Sequence, residues 1–202
     1  SLPKSILFWR SFTQWIGGMG VLVFVIAILP KSNAQIMHVF RAESPGPQVG
    51  KLVSKLKFTA QILYAIYIVL TVIQIGLLSI KLPFFESVIH AFTTASTGGF
   101  SNMNMSIAAF DSAYVETVIT IFMIIFAINF NLYFLILLGK LKSVFKSEEL
   151  RALFLIVLVS VGLISISLLV NNIYANFGQS LRYSSFQVAS MMSTTGYTSA
   201  DY

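Results

Sequence analysis

The sequence predicts an all-α integral membrane fold built from copies of one unit: a spanning helix, a half-length re-entrant helix, an irregular segment and a second spanning helix. Three observations carry that prediction. The 202 residues are 56% hydrophobic and 10% charged, with a mean hydropathy of +0.84, whereas a soluble domain carries roughly a quarter charged residues. Four uncharged apolar runs approach the ~20 residues that cross a bilayer. A short segment between two of them recurs 97 positions later. With no cysteine in the chain, disulfide frameworks, thiol catalysis and cysteine metal sites are excluded. The chain opens on Ser1-Leu2-Pro3, stops at Asp201-Tyr202 and shows no secretory signal, so it reads as an excerpt of a longer protein.

The four runs cover residues 11–29, 58–80, 117–138 and 153–170. Lys31, Arg41, Lys51, Lys55 and Lys57 lie between the first two, and Lys140, Lys142, Lys146 and Arg151 between the last two, which together make nine of the thirteen basic residues. Both loops are therefore cytoplasmic, and the net charge of +6 reflects orientation in lipid rather than binding to nucleic acid. Ser44-Pro45-Gly46-Pro47 fixes a non-helical bend in the first loop, since proline removes a donor and restricts its neighbour. In the first run, Gly17, Gly18 and Gly20 read as small residues at a close helix contact, with a gating hinge as the alternative. Asn129 and Asn131 fall mid-run in the third, where a polar side chain faces either another helix or a pore. Asn171 and Asn172 mark the membrane interface.

The connection from Lys81 to Glu116 is too long and too apolar for a plain surface loop. Pro83 can open a helix, because its missing N–H is one of the free donors of a first turn. Residues 84–95 then make about 18 Å of helix, roughly half a bilayer. Ser96-Thr97-Gly98-Gly99-Phe100-Ser101 follows, too short to cross and permissive of unusual backbone angles. After the fourth run the pattern returns as a short helix over 184–192 and then Ser193-Thr194-Thr195-Gly196-Tyr197-Thr198. Shifted by 97, Ser87 pairs with Ser184, Ser96 with Ser193, Thr97 with Thr194, Gly99 with Gly196, Phe100 with Tyr197 and Ser101 with Thr198.

The chemistry this repeat permits is cation dehydration. Irregular backbone at membrane depth survives only where it lines a cavity or is buried in protein. Stacked carbonyls can replace the water shell of potassium, glycine turns successive carbonyls toward one axis, and the preceding half-helix aims its negative end at the ion. Asp111, Glu116 and Asp201 lie on the outer side, where Asp201 follows the second segment closely enough to concentrate cations at a pore mouth; ordinary solvated charge accounts for the other two. His38 and His90 have no second ligand at metal spacing on the same element.

Four stretches, FWRSFTQWIGGMGVLVFVIAILP at 8–30, RAESPGP at 41–47, HAFTTASTGGFS at 90–101 and STTGYTSADY at 193–202, resemble the Trk/Ktr/HKT superfamily of potassium transporters, most closely the bacterial Trk-type membrane subunit. The resemblance implies a plasma-membrane protein with four pore-loop repeats around one pore. It divides this chain into the inner helix of the first repeat (1–30), a cytoplasmic loop (31–57), the second repeat (58–139, filter 96–101), a second loop (140–152) and the outer helix, pore helix and filter of the third repeat (153–202). It implies that the backbone carbonyls of Thr97, Gly98, Gly99, Phe100, Thr194, Thr195, Gly196 and Tyr197 bind potassium, with glycine at the third position associated with potassium over sodium. It further implies a homodimer with a cytosolic nucleotide-binding regulatory ring, so that NAD or ATP/ADP belongs to that separate subunit and the chain itself needs no cofactor beyond the potassium it carries. A sodium-permeable relative, and a tetrameric channel with one repeat per chain, are the alternatives. A membrane enzyme would need a charged residue or histidine within the spans, which hold none.

Overall fold

The computed structural model describes residues 3–20, 50–174 and 176–200. Helix α1, Lys4–Gly18, starts after Pro3, seven residues ahead of the expected run. Its described course ends at Gly18: Met19 is the cap and Gly20 adopts φ +79°. Of the helix expected over 11–29, residues 11–18 are helical, while residues 21–29 and the RAESPGP bend lie outside the described residues.

Helix α2, Gly50–Leu78, begins eight residues before its apolar portion Phe58–Leu78, so the end of the expected 31–57 loop is helical. Lysine is a good helix former, so these residues need not end the helix. Helix α3, Phe84–Ala95, starts behind Pro83 and has the expected limits. A 3-10 turn at Ser106–Phe110, with no counterpart in the sequence reading, follows the irregular segment.

The largest departure lies in the third apolar run. It is two helices, α4, Ala113–Ala127, and α5, Phe130–Leu137, bent by 85°. Ile128 is extended, and the Asn129 side chain caps α5 by accepting the Asn131 N–H at 3.0 Å. Asparagine competes for backbone donors in this way and so favours helix starts over helix interiors. The Tyr133 hydroxyl donates to the Ile125 carbonyl at 2.7 Å, which also accepts the Ile128 N–H at 3.3 Å, and so ties α5 back to α4. Asn129 Nδ2 also donates to Glu149 at 3.2 Å. Both asparagines are exposed at this bend, and among the described residues no hydrogen bond joins either to an irregular segment.

A short helix α6, Leu141–Phe145, occupies the second basic loop. Helix α7, Glu148–Val170, begins inside that loop, where Ser147 accepts the Leu150 N–H and Glu148 and Glu149 sit in the positive first turn. Helix α8, Phe177–Met192, is seven residues longer at its start than expected. Among the described residues α2 and α7 are each long and apolar enough to cross a membrane, and the bent α4–α5 pair together makes a third candidate.

The core gathers where α3, α4 and α8 meet, around Ala91, Ile119, Met123, Phe186 and Ala189. One ion pair sits in that junction. Arg182 Nε of α8 lies 3.0 Å from Glu116 Oε2 of α4, whose side chain is 4% exposed. Glu116 is thus a buried tie between helices rather than a solvated outer charge. Removing one partner of such a pair leaves an uncompensated buried charge. Arg182→Met is expected to destabilise the protein by on the order of 3 kcal/mol, and Arg182→Met/Glu116→Gln by clearly less, as read by thermal unfolding of the detergent-purified protein.

Candidate functional site

Each irregular segment begins where a half-length helix stops, and both helices stop in the same way. After α3, the Gly98 N–H bonds the Thr93 carbonyl at 2.8 Å and the Thr97 N–H bonds Thr94 at 3.0 Å. After α8, the Thr195 N–H bonds Ser190 at 2.9 Å and the Thr194 N–H bonds Met191 at 3.1 Å. These are two Schellman closures, related bond for bond by the 97-residue shift. The left-handed residue each closure needs is Thr97 at φ 51° and Thr194 at φ 58°. A β-branched residue there is strained by roughly 1–3 kcal/mol, and the strain recurs at the matched position. Two residues on, Gly99 at φ 64° and Gly196 at φ 83° turn the chain again.

These turns leave backbone acceptors without partners. Among the described residues, the carbonyls of 97–100 and 194–196 accept no hydrogen bond. The eighth expected ligand differs, because the Ser190 hydroxyl donates to the Tyr197 carbonyl at 2.8 Å. The segments meet at Gly99: a Cβ on it would lie 1.8 Å from the Thr195 carbonyl oxygen. A Cβ on Gly98 would lie 3.1 Å from the amide of Gln14 on α1. Asp201 lies outside the described residues.

The two segments differ in what backs them. Tyr197 is wholly buried, and its hydroxyl contacts the Thr93 hydroxyl and, at 3.4 Å, the His90 carbonyl, both on α3. Its counterpart Phe100 is 50% exposed, with the Arg10 guanidinium over its ring at 5.2 Å. The carbonyl after each segment is held from elsewhere, Ser101 by Arg10 Nη2 at 3.2 Å and Thr198 by the Ile107 and Ala108 N–H groups at 3.1 and 3.3 Å. Thr93, Arg10 and Gln14 lie within the stretches that carry the family resemblance but were given no role there, since each acts across a large separation in the chain.

Besides Arg10 and Gln14, helix α1 meets the first segment through its glycine end. A Cβ on Gly18 would lie 2.6 Å from Ser96 Cα and 2.6 Å from the Tyr67 hydroxyl, whereas one on Gly17 meets nothing within 4 Å. Tyr67 donates to the Trp15 carbonyl at 2.9 Å and Trp15 Nε1 to Thr71 at 3.1 Å, locking α1 to α2 beside it. Of the glycines expected at a close contact, Gly18 makes it, Gly17 does not, and Gly20 follows the helix end. Gly18→Ala is expected to cost about 1–3 kcal/mol through overpacking. Gly17→Ala should be neutral or slightly stabilising through helix propensity, with both read from Tm.

Residues 1–202 match the TrkH family, described as a cation transport protein, and the chain belongs to that family. It is 38% identical over 201 residues to the Trk system potassium uptake protein TrkH of Salmonella typhimurium, covering 98% of this chain and 42% of that protein. Identity to the Trk system potassium uptake protein TrkG of Escherichia coli K12 is 32% over 205 residues, covering 100% of this chain and 42% of the relative. The crystal structure of the potassium transporter TrkH from Vibrio parahaemolyticus superposes with a TM-score of 0.79 at 28% identity, covering 99% of this chain and 40% of that one. The chain thus spans about two fifths of the relatives it matches. The pore-loop repeat fold and the resemblance carried by the four motifs are borne out, and the family places the chain in the bacterial plasma membrane.

Proposed function

We propose that this chain forms part of the membrane subunit of a Trk-type potassium uptake system, and that residues 97–100 and 194–197 supply two walls of its selectivity filter. The observation that carries the reading is the exact-shift recurrence of closure, strained threonine, left-handed glycine and unpaired carbonyls at the end of two half-length helices. Carbonyls without protein donors are costly at membrane depth unless an ion or water meets them. A dehydrated potassium ion supplies that partner and receives in return the field of several carbonyl dipoles. The C-terminal ends of α3 and α8 add about half a negative charge each. In this reading α1 is the inner helix of one repeat, α2 to α5 form the next, and α7 and α8 begin a third. The Tyr197 carbonyl, held by Ser190, contributes less to binding than the Thr194, Thr195 and Gly196 carbonyls. The chain works as a transporter rather than an enzyme, in a homodimer whose cytosolic nucleotide-binding ring sits against the basic loops. The relatives' names, potassium uptake proteins, support the cargo.

The test is rubidium uptake, with sodium as competitor, by potassium-uptake-deficient cells expressing the full-length parent protein. Uptake that Gly196→Arg abolishes is the expected result. Gly99→Ser, whose Cβ would collide with the Thr195 carbonyl, is expected to weaken the preference for rubidium over sodium. Absence of uptake with the protein confirmed in the membrane, on co-expression with its cytosolic partner, would overturn the reading.

A further inference from the structure

His90, on α3, is wholly buried, and its two ring nitrogens have distinct partners. Nδ1 lies 2.8 Å from the Glu86 carbonyl, which can only accept, so Nδ1 carries the proton. Nε2 of the neutral ring is then an acceptor, and the Ser101 hydroxyl 3.0 Å away donates to it. Ser101 Oγ in turn accepts the Met103 N–H at 3.0 Å, while the Ser101 carbonyl accepts from Arg10. The hydrogen bonds therefore run in one direction, and every polar atom of the imidazole is satisfied. Phe110 meets the ring edge-on at 5.1 Å and Tyr197 closes another side at 6.1 Å. Ser101 is the residue directly after Phe100, so this chain of bonds ends on the exit of the first filter segment. Shifted by 97, Gln187 stands for His90 and Thr198 for Ser101, but Gln187 Oε1 meets no donor among the described residues, so the bond is particular to the first segment.

We propose that His90 is a positioning residue for ion selection. By accepting from Ser101, it holds the outer end of 97–100 at a fixed distance from α3, so that the carbonyls cannot close around an ion smaller than potassium. This inference rests on the transport reading above. Losing a buried hydrogen bond of this kind is the scale of about a tenfold change in an equilibrium.

The experiment compares Ser101→Ala, His90→Leu, His90→Gln and the double variant His90→Leu/Ser101→Ala in the full-length protein. One readout is the inhibition constant of sodium against rubidium uptake; the other is the rise in Tm of purified protein when NaCl is replaced by KCl. Ser101→Ala and His90→Leu are each expected to make sodium about tenfold more competitive and to shrink the potassium-specific rise in Tm. The double variant should be no worse than either single one, as for two residues acting as a unit. His90→Gln, with an acceptor and a donor on one planar group, should retain most of the discrimination. Should His90→Leu not reach the membrane, Ser101→Ala alone decides. Wild-type selectivity in Ser101→Ala, or equal loss in His90→Gln and His90→Leu with none in Ser101→Ala, would sink the proposal while leaving the transport reading intact. A wild-type protein with neither rubidium uptake nor a potassium-dependent Tm sinks both.

Discussion

Backbone N–H and C=O groups removed from water must find partners, and that requirement organises this structure. A helix satisfies itself, so the informative places are where the chain stops being helical. At the bend between α4 and α5 the Asn129 side chain accepts the Asn131 N–H, and the Tyr133 hydroxyl joins the Ile128 N–H on the Ile125 carbonyl. At the ends of α3 and α8 the Schellman bonds close the helices, and beyond the two irregular segments Arg10, Ile107 and Ala108 hold the next carbonyls. Among the described residues the carbonyls of 97–100 and 194–196 accept from no donor. Runs of such acceptors at matched positions of a repeat are the physical content of the proposed filter.

What was legible in the sequence follows from the range of the forces involved. Helix α3 was read to its limits because Pro83 fixes its start and the Gly98-Gly99 pair its end, both local devices. The two irregular segments were legible because the shift of 97 exposes them twice. Helix α8 was read short because Gln179, Arg182 and Tyr183 look like loop residues until Glu116, far away in sequence, supplies a partner for the arginine. The break in 117–138 was missed for the opposite reason. Hydropathy averages over a window, and one capping asparagine in an apolar run hardly moves the mean, although it redirects the chain by 85°.

The repeat is stricter in the backbone than in the side chains that brace it. Thr97 and Thr194, and Gly99 and Gly196, share their signs of φ and their closing bonds. Behind this common trace the first segment leans on a cation over an aromatic ring, and the second on a tyrosine sunk into α3. A carbonyl array needs a set backbone shape; many different braces can hold it.

The tyrosine brace also has a direction. Tyr197 rests on Thr93, 104 residues earlier in the chain, so the later irregular segment is propped by the earlier half-helix. The residues of α3 are synthesised before Tyr197, so the socket's sequence precedes its plug. Reversing the two units by circular permutation would ask the same tyrosine to wait for a socket not yet synthesised.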